Sequence, residues 1–499
     1  MTLAVVDARA PVGVEAPLVT IEVHIALGLP SLAIVGLPET AVKEARDRVR
    51  SAIANSGYDF PARRITVNLA PADLPKVGGR FDLPIALGIL AASGQISAEA
   101  LKGYEFAGEL ALTGAVRPVG GLLPAALRAR EAGRRLVLPS ENAAEAALAA
   151  PGSCHGVAHL LDASAHLDGT SPIPAATAVA HGQPRLEDDL GDVHGQQQAR
   201  RCLEIAAAGA HSLLMSGPPG TGKSMLASRL PGILPPMTEA ECLETAAVRS
   251  VSDVGFTAAE WGVRPFRAPH HSASHIALIG GGSRPRPGEI SLAHNGVLFL
   301  DELPEFQRAA LEVLREPMET RRVSISRASA KLTYPAEFQL VAAMNPCPCG
   351  HLGDPSAECR CTPDQISRYA SRISGPLLDR IDMFLSVPRL TAAELRHAPA
   401  GESSATVRAR VEAARACQIA RDGVPAARLG AARIERACRL SAEASRLLDR
   451  ALEQLGLSAR AYHRCLRLAR TIADLAGAGA VEAAHVAEAV GYRRAAPSR

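Results

Sequence analysis

The stretch at residues 215–224, M-S-G-P-P-G-T-G-K-S, narrows what this chain can fold into more than any other. It follows an apolar run at 213–215, and Gly217, Gly222, Lys223 and Ser224 satisfy the pattern G-x-x-x-x-G-K-[ST]. The spacing predicts a strand, a glycine-rich loop and a helix. Residues without a Cβ let backbone N–H groups converge on a phosphate chain, and a helix N-terminus adds its positive dipole end. The loop Gly217, Pro218, Pro219, Gly220, Thr221, Gly222, Lys223 and Ser224 is therefore read as an ATP cradle. Lys223 would reach the β- and γ-phosphates, and Ser224 would hold Mg²⁺. A second stretch, Val297–Leu300, is a continuous apolar run of buried-strand type that ends in Asp301 and Glu302. At the carboxyl end of a parallel strand, Asp301 would hold Mg²⁺ and Glu302 would polarise the attacking water. Loop and acidic pair together predict ATP hydrolysis rather than nucleotide binding alone.

A chain of 499 residues suits two to four domains. With 47% apolar and 21% charged residues it has the composition of an ordinary globular protein. A formal net charge of +3 neither demands nor excludes a polyanionic partner, so local basic clusters carry that question. The N-terminal residues lack a charged segment followed by an apolar one, and no stretch offers about 18 consecutive apolar residues. The expectation is a cytoplasmic protein with no membrane partner and with mostly reduced cysteines.

In order, residues 1–165 read as an α/β domain. Strands are expected at 18–25, 32–35, 65–69, 106–112 and 135–138, with helices at 39–56 and 81–92. Residues 166–190 have linker composition. Gly195 and Gln196 precede a helical run at 197–208. The 191–390 region holds the ATPase core. Residues 232–296 form a long insertion within it, carrying Arg264, Arg267, His270, His271, His275, Arg284 and Arg286. A basic hairpin is expected over 320–334, with Arg321, Arg322, Arg327 and Lys331 as DNA contacts. A buried strand at 338–343 leads to Asn345, placed to position water. Cys347, Cys349, Cys359 and Cys361 then form C-x-C…C-x-C, with His351 close by. Their thiolates could build a tetrahedral zinc site, or be a reduced loop of thiols. Residues 391–499 are helical, and the run 460–470 reads as a basic, solvated face.

The order GPPGTGKS, LFLDE, NPCPCG, GPLLDRID resembles the AAA+ superfamily, its magnesium-chelatase-like branch, and most specifically the YifB/ComM group. Residues 71–87, PADLPKVGGRFDLPIAL, and 108–119, GELALTGAVRPV, resemble the S5-like proteolytic domain of the Lon family. That family uses a serine nucleophile and a lysine base. Lys76 is present, but Arg80, Phe81 and Asp82 stand where the serine is expected, which implies a non-proteolytic scaffold. The resemblance thus implies an α/β fold in three parts: an S5-like α+β domain, a P-loop NTPase domain and a C-terminal helical lid. It implies Gly195 and Gln196 beside the adenine, Asn345 as sensor 1, Arg380 as an arginine finger, and Arg460 as sensor 2 with Arg464 as the nearby alternative. It also implies a homo-hexamer acting as a DNA branch-migration helicase in natural transformation. A chelatase-like motor on a protein partner, and a Lon-type protease, are the alternatives.

Overall fold

The computed structural model describes residues 3–36, 44–74, 76, 78–178, 188–282, 285–327, 330–354, 357–391, 394, 396, 399–455 and 458–494. Two units emerge, and they do not follow chain order. One comprises Met1–Pro184, Glu239–Trp261 and Ser326–Tyr334; the other comprises Arg185–Thr238, Gly262–Ile325 and Pro335–Arg499.

In the first unit the alternating residues of Leu18–Ala26 make a half-buried strand, with Ile21, Val23 and Ile25 turned inward. It pairs antiparallel with Leu3–Arg9 on one side and Arg64–Ala70 on the other. The sheet has seven strands, in the order Ser31–Val35, Arg64–Ala70, Leu18–Ala26, Leu3–Arg9, Tyr104–Phe106, Arg135–Pro139 and Cys154–Val157. The first and last segments of the chain's own order, Leu3–Arg9 and Cys154–Val157, were not among the expected strands. The expected strand at 106–112 is broken. The chain leaves the sheet after Phe106, and Glu109–Leu110 pairs separately with Val116–Arg117. Gly108 sits in the break, where a Cβ would lie 2.7 Å from the Val116 side chain.

Helix Asp82–Ala92 is apolar on every side and is buried throughout, as such a helix must be. Pro84 occupies its first turn, where its missing N–H costs nothing. Of the expected helix at 39–56, residues 39–43 lie outside the described residues, and Ala45–Asn55 is helical. Where a nucleophile would stand, Asp82 instead accepts a hydrogen bond from Arg48 Nε at 2.8 Å, and burial pushes its carboxyl up to about 6. Arg80 is buried too and donates to the carbonyls of Arg9 and Gly120. Helix Glu239–Ser250, which follows the phosphate-loop helix in sequence, belongs to this first unit. Its Leu243, Ala246 and Ala247 share a core with Leu122, Ala125, Ala126 and Ala129 of helix Leu122–Glu131.

The second unit is built on a parallel five-stranded sheet. Its order is Phe266–Arg267, Val297–Leu300, Gln339–Met344, Leu213–Ser216 and Met383–Ser386. Val297–Leu300 and Gln339–Met344 are buried at every residue, which explains their unbroken apolar character. One core joins this sheet to helix Gln197–Gly209 and to the C-terminal helices Ser404–Asp422, Ala442–Leu455, Ala459–Leu475 and Ala483–Arg494. Among the described residues, no helix is long and apolar enough to cross a membrane.

Candidate nucleotide site

The carboxyl edge of the parallel sheet gathers the motif residues. Gly217 donates its N–H to the Met344 carbonyl at 3.2 Å, and a Cβ there would lie 2.2 Å from the Val387 carbonyl oxygen. Only glycine lets the loop pass so close to two neighbouring strand ends. Gly220 and Gly222 have φ of +75° and +85°, the left-handed region that glycine enters without strain. Helix Lys223–Ile233 starts directly after them. The buried Lys223 ammonium donates to the carbonyls of Gly217 at 2.7 Å and Pro218 at 2.9 Å, and to Asn345 Oδ1 at 3.3 Å. Burial pulls the Lys223 pKa down, while Asp301 and Glu302 push it back up. Gln196, itself at a left-handed φ of +43°, donates Nε2 to the Thr221 carbonyl at 2.8 Å.

One strand, Gln339–Met344, separates the loop strand from the acidic strand, so Asn345 emerges between the lysine and the acids. Ser224 Oγ nevertheless donates to Asp301 Oδ2 at 2.5 Å. A hydroxyl beside a carboxylate at the mouth of a phosphate loop is an all-oxygen donor set, which suits Mg²⁺. Glu302 has a left-handed φ of +51°, uncommon outside glycine, and its backbone N–H donates to Asp301 Oδ1 at 2.9 Å. Its carboxylate faces His271 Nδ1 at 3.0 Å, and the His270 and His271 rings lie 4.0 Å apart. In sequence these histidines offer basic, capping or packing roles, and as an adjacent pair they lack metal-ligand spacing; nothing local points to Glu302. The sequence reading also missed Tyr369, which is hydrogen-bonded to the Asn345 backbone and pushed up to about 12, chiefly by burial. Arg389 was missed as well. It donates to the Pro219 carbonyl at 3.2 Å and pairs with Asp354 at 3.3 Å. Nothing in the local pattern distinguishes either residue from ordinary core and surface positions.

The arginines divide by use. Arg380 pairs with Glu319 at 2.7 Å and donates to the Pro376 carbonyl at 2.8 Å. Arg460 is exposed near the start of helix Ala459–Leu475, whose N-cap is Ser458. Arg464 instead pairs with the buried Asp382, which also accepts from the Ser212 backbone at 3.0 Å and lies 3.6 Å from His211. Burial would raise Asp382, but Arg464 and His211 outweigh it and hold the carboxyl well below the usual range. Beyond Arg460, the arginines of the run 460–470 are therefore not a solvated face. Arg467 donates to the Leu429 carbonyl at 2.8 Å, and the buried Arg470 bonds Asp474 at 3.0 Å. In the insertion, Arg264 is tied to the carbonyls of Pro235 and Asn295, and Arg267 to Glu289 at 2.7 Å; Arg284 lies outside the described residues. The basic hairpin forms, with strands Arg322–Arg327 and Ala330–Pro335. Arg322 is exposed and Arg321 lies 3.5 Å from Glu337. Residues 328–329 and the side chains of Arg327 and Lys331 lie outside the described residues.

The four cysteines that follow Asn345 converge, with one sulfur from each lying within 4.8 Å of all the others. Backbone N–H groups of His351 and Arg360 hydrogen-bond Cys349 and draw it down to about 6. Cys361 receives a similar bond from Cys349, yet burial and the neighbouring thiols push it up to about 12.

Comparison with known proteins matches this architecture over most of the chain. Residues 189–395 match the family described as Magnesium chelatase, subunit ChlI; residues 21–142 match Subunit ChlI of Mg-chelatase; residues 401–493 match Magnesium chelatase, subunit ChlI C-terminal. The chain is 54% identical to a protein designated YifB from Salmonella typhimurium strain LT2, over 99% of this chain and 97% of the other. It is also 54% identical to the competence protein ComM of Haemophilus influenzae, over 99% and 98%. A partial likeness, 24% identity over 39% of this chain and 25% of the other, links it to the DNA replication licensing factor mcm7 of Schizosaccharomyces pombe. Given that identity along nearly the whole of both chains, the protein belongs to the YifB/ComM family of magnesium-chelatase-like AAA+ ATPases.

Proposed function

We propose that the protein is a cytoplasmic, ATP-hydrolysing motor that works on DNA as a homo-hexamer, driving branch migration while incoming DNA recombines in natural transformation. The observation that carries the ATP chemistry is the meeting of Lys223, Ser224, Asp301 and Asn345 at one edge of the parallel sheet. The DNA substrate and its setting draw support from the designations of the competence protein and the replication factor.

ATP would supply the scissile phosphoanhydride, and Mg²⁺ the charge that neutralises its oxygens. Loop N–H groups and Lys223 bind the phosphates, and Gln196 with Gly195 buttresses the loop on the adenine side. Ser224 and Asp301 would hold the ion. Glu302 takes the proton of the attacking water once His271 releases it, and Asn345 orients that water. Arg380 acts on the nucleotide of a neighbouring subunit after leaving Glu319. Arg460 closes over the nucleotide from the helical lid. Arg321, Arg322, Arg327 and Lys331 of the hairpin contact DNA phosphates, and the S5-like first unit is a scaffold rather than a protease.

ATP turnover of the full chain, with and without branched DNA and at two salt concentrations, tests this reading. Stimulation that fades with added salt is expected, because phosphate contacts release counterions. It should vanish in Lys223→Ala. Turnover indifferent to DNA would overturn the DNA motor and favour a chelatase-like motor on a protein partner.

A further inference from the structure

We propose that Cys347, Cys349, Cys359 and Cys361 bind one zinc ion, and that the resulting knuckle braces the phosphate loop and the Asn345 strand end. The sulfur of Cys347 lies 3.4 Å from that of Cys349 and 3.7 Å from that of Cys359, and Cys349 and Cys359 are also 3.7 Å apart. A zinc–sulfur bond of about 2.3 Å places tetrahedral thiolates about 3.8 Å from one another. The observed edges match that solid. They are far longer than the sulfur–sulfur bond of about 2.05 Å in a disulfide. They are also tighter than four thiolates can stand around a multi-iron cluster, whose metals and bridging sulfides hold the ligands apart. Four thiols in contact have no gain to offset their crowding unless a cation draws off their protons.

The position of the knuckle gives it a use. It begins two residues after Asn345, which bonds Lys223. Cys347 is fully buried beneath it. Gly350, at φ +83°, lets the knuckle lie against the loop: a Cβ there would come within 2.8 Å of Pro219 Cδ. Asp354 of the same segment also pairs with Arg389, which donates to the Pro219 carbonyl. The segment thus meets Pro219 directly at Gly350 and through Arg389. Apart from Cys347, Gly350 and Asp354, the described residues of that segment are half-buried or exposed, so the ion supplies rigidity that packing does not.

The brace rests on the ATP reading above; the zinc site does not. Metal content of the full chain, purified without chelator, is the primary readout. About one zinc per chain is expected. Replacement by cobalt should give the strong visible absorption of a tetrahedral thiolate site. The double variant Cys349→Ser/Cys361→Ser should lose the ion. Cys361→His, still a zinc-competent donor set, should keep it, as should Cys417→Ser at an exposed cysteine outside the cluster. Absence of zinc with no cobalt uptake, or the presence of iron instead, would overturn the site. For the brace, loss of zinc should lower ATP turnover about tenfold or more, since small misplacements of catalytic groups are costly. Cys361→His should restore it. Unchanged turnover in zinc-free protein would overturn the brace while leaving the site. Should the double variant not fold, stripping zinc from folded wild type with a mercurial reads the same quantity. A wild type that holds zinc but hydrolyses no ATP would sink the nucleotide reading alone.

Discussion

Asp382 shows how one residue can link strand, lid and pH. It is buried at the end of the segment that carries Arg380, and it accepts from Ser212 while pairing with Arg464 of the C-terminal helices. Its carboxyl is held below the usual carboxylate range, so the folded protein keeps it ionised where the unfolded chain takes up a proton. The associated stability is fully present above the unfolded value of about 4 and drains away as pH falls below it. Asp382→Asn should therefore cost about 3–5 kcal/mol at neutral pH, because Arg464, only partly exposed, loses the buried carboxylate it pairs with. It should also flatten the acid limb of the stability profile. Thermal unfolding from neutral to strongly acidic pH checks both; an unchanged acid limb would show that Asp382 does not carry it. The Glu302–His271 pair belongs to the same scale. If Glu302 is the base of the proposed mechanism, its contact with His271 competes for one of its two carboxylate oxygens, and His271→Ala should change the pH dependence of ATP turnover.

Elements were legible where a single physical rule decided them. The unbroken apolar runs became buried parallel strands, and the glycines of the phosphate loop stand at the positive φ and close approaches that exclude other residues. The strand at 106–112 was misread because apolar content alone does not reveal that Gly108 turns the chain out of the sheet. The interior roles of Arg464, Arg467 and Arg470 were illegible too, since their partners lie 82, 38 and 4 residues away and only one is local. The placement of helix Glu239–Ser250 in the first unit is a third case: its apolar face is plain in the sequence, but not what covers it. Its Leu243 packs among the small residues of helix Leu122–Glu131. Leu243→Ala should cost about 2 kcal/mol, the low end for a core leucine. Amide exchange in Leu122–Glu131 should quicken roughly thirtyfold if that helix opens with the contact. Unaltered exchange there would mean the two helices open independently.

At the scale of the whole molecule, the proposed ring would build each site from two chains. Arg380, read as the finger, is engaged by Glu319 and Pro376 of its own subunit, and no arginine is recorded in contact with the Lys223 ammonium, the Ser224 hydroxyl or the Asp301 carboxylate among the described residues. In the proposed ring, head-to-tail interfaces would bring each subunit's finger to its neighbour's loop. The two halves of such a site lie on different chains and can be broken separately. Lys223→Ala removes the loop's cation but leaves a sound finger, whereas Arg380→Ala removes the finger but leaves a sound loop. Each variant alone should be close to inactive. Mixed in equal amounts and allowed to reassemble, about a quarter of the interfaces in a ring pair an intact loop with an intact finger. ATP turnover should then reappear at up to about that share of the wild-type rate. If the mixture stays inactive while subunit exchange is verified by labelled protein, Arg380 does not act across an interface. If Arg380→Ala alone keeps full turnover, the residue is only the partner of Glu319.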